Sequence, residues 1–121
     1  MKIVKLSDVP TEVSADKIFQ GKVKVQRIIG QSEDELRAIV VNFSPGSRTV
    51  FHTHTFGQIL YVTEGKGIVA TEDKEVTVIP GTLIFIPAGE NHWHGATKDS
   101  SFAHIAIMPP GRTNFKALVN D

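Results

Sequence analysis

The chain has 121 residues, and its thirteen Lys and Arg side chains are balanced by thirteen Asp and Glu. A neutral surface draws neither nucleic acid nor an anionic membrane, so no partner of either kind is expected. The absence of cysteine excludes disulfides and thiolate metal ligands and fits a cytoplasmic protein. With 40% hydrophobic and 21% charged residues, the composition is that of a globular protein. The length suits one domain over residues 1–121, with about two-thirds of its unfolded surface buried.

Residues 1–20 are mixed, contain Pro10 and show little periodicity. They read as an arm lying over the main body or over a neighbouring subunit. The start, Met1 to Asp8, has no apolar run of signal-peptide length, and no stretch is long and apolar enough to span a bilayer. From Lys22 to Ile29 basic or polar residues alternate with apolar ones, the period of a half-buried strand. Gly30 to Glu35 reads as a loop with room for one helical turn. Leu36 to Phe43 is a second strand, and Ser44-Pro45-Gly46 a turn.

Short strands separated by turn residues follow. They are expected over Thr49 to His54, Gln58 to Thr63, Ile68 to Thr71, Glu75 to Ile79, Thr82 to Ile86, His92 to Ala96 and Phe102 to Met108. Glu64 to Gly67, Glu72 to Lys74, Pro80-Gly81 and Pro87 to Asn91 punctuate them, with Gly65, Gly81 and Gly89 read as turn glycines of positive φ. Residues 112–121 suit either a short helix or a strand. Many short strands and no long helix point to an all-β barrel or sandwich.

Four of the five histidines fall in two pairs, His52/His54 and His92/His94. Side chains two apart on a strand share a face, with backbones roughly 6.6 Å apart, and two such imidazoles can converge on one cation at about 2.1 Å. His52, His54, Gln58 and His92 make the preferred ligand set: three imidazoles and an oxygen donor suit a first-row divalent ion. The competing role for Gln58 is a hydrogen bond to backbone at a strand start. His94 shares the His92 face and is free to act as an acid–base group of near-neutral pKa, or to orient another ligand. His104, on a strand face with Phe102, Ala106 and Met108, is expected to stay neutral, as a proton acceptor or a hydrogen-bonded core residue. Trp93 faces the other way, into packing or a subunit interface. Ile39, Val41 and Phe43, with Phe85 and Met108, are expected to wall an apolar pocket.

Gly46-x5-His52-x-His54-x3-Gln58-x6-Gly65 resembles the first cupin motif (46–65), and Gly81-x5-Pro87-x-Gly89-x2-His92 resembles the second (81–96). The resemblance implies a double-stranded β-helix, or jelly-roll barrel, with a metal in its mouth held by three motif histidines and a glutamate. Here Gln58 stands at the glutamate position, and Ala96 replaces the asparagine that usually ends the second motif. A wholly neutral donor set leaves a bound cation its full charge, making it a stronger Lewis acid and a better partner for anions. Within the cupins, Arg48-Thr49-x2-His52-Thr53-His54-x3-Gln58, His92-Trp93-His94-Gly95-Ala96 and His104-x-Ala106-Ile107 are similar to the manganese-dependent bacterial hydroxynitrile lyases. That similarity implies His52, His54, Gln58 and His92 as ligands and His94 or His104 as the base in cyanohydrin cleavage. Manganese is the foremost metal, with iron, zinc and nickel as alternatives. A metal-dependent dioxygenase and a non-catalytic small-molecule binding or sensor module are the competing functions. Cupin barrels usually pair, so a homodimer or higher homo-oligomer is expected, through Lys22 to Ile29 and the arm before it.

Overall fold

A computed structural model of the protein describes residues 1–116. Among them lie one 3-10 turn, Leu6–Asp8, and thirteen short strands. In chain order these are β1 (Glu12–Val13), β2 (Phe19–Gln20), β3 (Val23–Ile29), β4 (Arg37–Phe43), β5 (Arg48–Thr49), β6 (His52–His54), β7 (Gln58–Gly65), β8 (Gly67–Thr71), β9 (Glu75–Val78), β10 (Leu83–Ile86), β11 (His92–Ala96), β12 (Phe102–Met108) and β13 (Thr113–Phe115). One antiparallel sheet runs β1-β3-β4-β12-β7-β10. The other runs β13-β6-β11-β5-β2, with β8 on β11 and β9 on β8. The fold is an all-β jelly-roll barrel.

Alternation fills the space between the sheets. In β4, Ile39, Val41 and Phe43 share one face, and Val41 and Phe43 are fully buried. Cross-strand register then builds interior rows: Val25 opposes Val41, Val41 opposes His104, and His104 opposes Val62. Phe43, Phe102 and Val23 close one end of the core, while Phe56, Leu60, Ile86 and Met108 pack a second cluster beside it.

The arm lies on the outer face of the first sheet, where Gln26 Nε2 donates to the carbonyls of Leu6 and Val9 at 2.9 and 3.0 Å. β3 pairs with β4 along its length and with β1 only at Lys24 and Val25.

Several expectations change. Thr49 to His54 is not one strand. The chain bends at Val50–Phe51, because Val50 N–H turns to donate to Ile18 O at 2.8 Å and Phe51 swings outward. β7 runs on to Gly65, so the corner to β8 is tighter than the polar stretch 64–67 suggests. Gly30 to Glu35 contains bends and turns without a helix. Phe85 is 62% exposed and points outward with Leu83, while Ile86 faces the core. In the tail, Thr113–Phe115 is a strand paired with β6; residues 117–121 of that expectation lie outside the described region.

Candidate metal centre

The break between β5 and β6 lets His52–His54 pair with both β11 and β13, and His52 lies directly opposite His92. Alternation then turns His52, His54 and His92 to the barrel interior. His52 is 2% exposed and His92 1%, with ring centroids 4.1 Å apart; His54 is 4.9 Å from the first and 5.2 Å from the second. One nitrogen from each of the three falls within 4.8 Å of the others. Gln58, the first residue of β7, is buried on the wall of the same cavity.

The outward nitrogens are tied down. His52 Nδ1–H donates to Val50 O at 2.8 Å and His92 Nδ1–H to Glu90 O at 2.9 Å, and His54 Nδ1 is 2.8 Å from Thr113 Oγ1. With Nδ1 donating in His52 and His92, the Nε2 of each keeps a lone pair; the Thr113 hydroxyl can accept from Nδ1 of His54 and leave its Nε2 in the same state. His54 Nε2, His92 Nε2 and Gln58 Oε1 are buried and make no hydrogen bond. A buried polar atom without a partner costs about 1–3 kcal/mol, and several orphans together call for a physical explanation. A shared cation supplies one: imidazole lone pairs and an amide oxygen are the donors a divalent first-row ion takes.

Burial also keeps these rings neutral. Desolvation, then His92 and His54, pushes His52 down to about 3, with the bond to Val50 O opposing only in part. His54 is lowered to about 4 by desolvation, His92 and the Arg37 guanidinium; the nearby Gln58 carboxamide works the other way, although its Oε1 forms no hydrogen bond. His92 is lowered chiefly by desolvation. Neutral imidazole is the form that ligates.

His94 shares this interior. Its ring is 5.4 Å from His52 and 4.8 Å from His104, and its Nδ1 is 3.0 Å from His104 Nε2. Thr49 Oγ1 fixes the strand beneath by accepting from His94 N–H at 3.1 Å. The near-neutral pKa expected for His94 does not hold: desolvation, then His104 and the other rings, lowers it well below the ordinary value. His104 is fully buried between Phe43 and Phe102 and lowered to about 3 by desolvation. Trp93, on the opposite face, packs under the Arg48 guanidinium at 3.6 Å.

A cavity of about 500 Å³ opens onto His52, His54, Gln58, His94 and His104. Ile39, Val41 and Met108 wall it, as alternation suggests; Phe85 does not, because it lies on the outer face, and Phe43 sits deeper, against the His94 and His104 rings. Thr113 on β13 is a site residue that sequence reasoning missed.

Residues 39–108, from within β4 to the end of β12, match the sequence family described as Cupin domain, type 2. The chain belongs to the cupin family. This cupin is 40% identical over 92 residues to an (R)-mandelonitrile lyase of Granulicella tundricola, an overlap covering 74% of this chain and 70% of that protein. Among solved structures it is similar to a cupin-like protein of Thermotoga maritima (30% identity, TM-score 0.83, covering 94% of this chain and 91% of that one). It is also similar to the polyketide cyclase RemF of Streptomyces resistomycificus (26% identity, TM-score 0.80, covering 97% and 87%).

Proposed function

We propose that this cupin is a metal-dependent lyase that cleaves cyanohydrins reversibly to an aldehyde and hydrogen cyanide. The observation that carries the reading is the neutral donor set: three clustered imidazoles and one carboxamide at a cavity that also holds a linked histidine pair. The similarity to a mandelonitrile lyase supports the choice of reaction. His52, His54 and His92, through Nε2, and Gln58, through Oε1, would hold the ion, with manganese the first choice over iron, zinc or nickel. Bound there, it supplies Lewis-acid stabilisation of negative charge, undiminished by any carboxylate ligand.

The proton belongs to His94. With Nδ1–H donating to His104 Nε2, His94 presents the Nε2 lone pair to the cavity and takes the hydroxyl proton of the cyanohydrin. As the carbonyl forms, the carbon–carbon bond to the nitrile breaks and its electron pair leaves with cyanide. The proton held on His94 then passes to cyanide, so that hydrogen cyanide departs and the base is restored. His104 is a positioning residue, fixing the tautomer of His94 and accepting from it while it is charged.

The test is mandelonitrile cleavage by manganese-loaded protein in an oxygen-electrode cell. Benzaldehyde and cyanide are expected in equal amounts without oxygen uptake, at a rate reduced on the order of 10²-fold or more in His94→Ala. Oxygen consumption with the iron-loaded protein would favour a dioxygenase instead. Ligand binding with no turnover, unchanged when His94 and His104 are both alanine, would favour a binding module.

A further inference from the structure

The inner face of β3 breaks its own pattern. Val23 and Val25 point into the core and are buried, and the next residue on that face is Arg27. Its partner across the sheet is Ile39, a wall residue of the cavity, and the register shifts between Arg27 and Ile29. Such a bulge re-aims the side chain beside it. Arg27 therefore lines the cavity from an interior row while remaining exposed to its solvent. Its inner-face position puts the charge at the solvent-filled cavity, where it can meet a ligand.

The guanidinium is also unspent. Among the described residues Arg27 makes no ion pair, and no protein group accepts a hydrogen bond from its side chain. The other charged groups around the cavity are engaged. Arg37 donates to the carbonyls of Glu35, Pro109 and Gly111 at 3.3, 3.1 and 3.5 Å. Glu33 pairs with Arg112 at 3.1 Å, and Asp16 Oδ1 accepts from Ile18 N–H at 3.0 Å. Ile39, Val41, Ala106 and Met108 give the same cavity an apolar surface on β4 and β12, with Ile39 and Ala106 in the cross-strand row of Arg27.

We infer that the substrate of this site is a carboxylate-bearing molecule, its acid group held by Arg27 and its apolar body laid along β4 and β12. This rests on the reading of the cavity as the active site and narrows the substrate from any cyanohydrin to one with an acid group remote from the reacting carbon. A single guanidinium fork matches the two oxygens of a carboxylate. A volume of about 500 Å³ falls in the range of small-molecule sites.

Calorimetric titration with two aldehydes of equal shape, 4-formylbenzoate and 4-formylbenzamide, tests the assignment on metal-loaded and metal-stripped protein. The wild type should bind the carboxylate about tenfold or more tightly than the amide in both forms. Arg27→Gln should level the two, and Arg27→Lys should keep part of the preference. Equal binding by the wild type, or a preference surviving in Arg27→Gln, would overturn the assignment. An unchanged far-UV spectrum and melting curve in Arg27→Gln show that the fold is intact. Because binding to the stripped protein is read without turnover, failure of cyanide release from mandelonitrile would sink the lyase reading while leaving this comparison standing.

Discussion

Thr113 Oγ1 anchors the outward nitrogen of His54. Nδ1 lies 2.8 Å from the hydroxyl, which holds the ring with Nε2 turned to the cavity. Thr113→Val keeps the shape of the side chain and removes the hydroxyl, so the ring loses its anchor and the His54 Nδ1 atom loses its partner. Metal affinity should fall about 10–100-fold, measured by competition against a chromophoric chelator, and Thr113→Ser should restore most of it. Stability should fall by about 1–3 kcal/mol in the metal-free protein. An affinity unchanged in the valine variant would show that the ring is oriented by other contacts. Fifty-nine positions separate the two residues, and nothing in the tail repeats or alternates strongly enough to announce the contact. The grouping of His52, His54 and His92 was legible because the first two share a strand face and the second motif supplies the third ring; Thr113 is a neighbour only through the pairing of β13 with β6.

At the scale of elements, β11 and β12 could be read to the residue, since each is an uninterrupted run bounded by turn residues. Failures came where tertiary pairing overrode local period. Leu83, Ile84, Phe85 and Ile86 are all apolar, so period alone could not say which pair faces inward; Ile86 is packed in the core beside Phe56 and Leu60 while Phe85 is exposed. Thr49 to His54 looked continuous because its composition is that of a strand, but β5 and β6 answer to different partners: β2 for one, β13 for the other. The β7–β8 corner depends on a single glycine. Gly65 has φ of 73°, and a Cβ there would collide with the Ser101 carbonyl. Gly65→Ala therefore combines a disfavoured backbone with an overlap against backbone that cannot rotate away. It should destabilise by about 2–4 kcal/mol in urea unfolding. A cost under about 1 kcal/mol would mean that the corner relaxes. Gly81, also at positive φ but with open space where its Cβ would sit, is the control that should lose less.

For the molecule as a whole, the barrel was legible because its short strands and turn glycines recur along most of the chain, whereas the cost of filling its interior with imidazole becomes visible only once burial is known. That cost makes stability depend on pH. His52 and His104 are lowered to about 3 and His54 to about 4, each chiefly by desolvation, while the unfolded chain holds all three near 6.5. Above pH 6.5 both states carry neutral rings and nothing is lost. Below it the unfolded chain takes up protons that the folded barrel refuses, so stability falls as pH drops and levels off only when the folded rings protonate at about 3–4. Each ring contributes about 1.4 kcal/mol per pH unit in that window, hence about 2 kcal/mol at pH 5 and about 6 kcal/mol for the three. His92 and His94 act in the same direction. Against a total of about 5–15 kcal/mol for a native domain, this is a large share. The melting temperature of metal-free protein should fall by about 20 °C between pH 7 and pH 5. His104→Leu removes one titrating ring from an apolar wall, so its melting temperature should fall less steeply over the same range, whatever its value at pH 7. A melting temperature flat to pH 5, or a slope unaltered in His104→Leu, would show that the buried rings do not govern the acid limit of this fold.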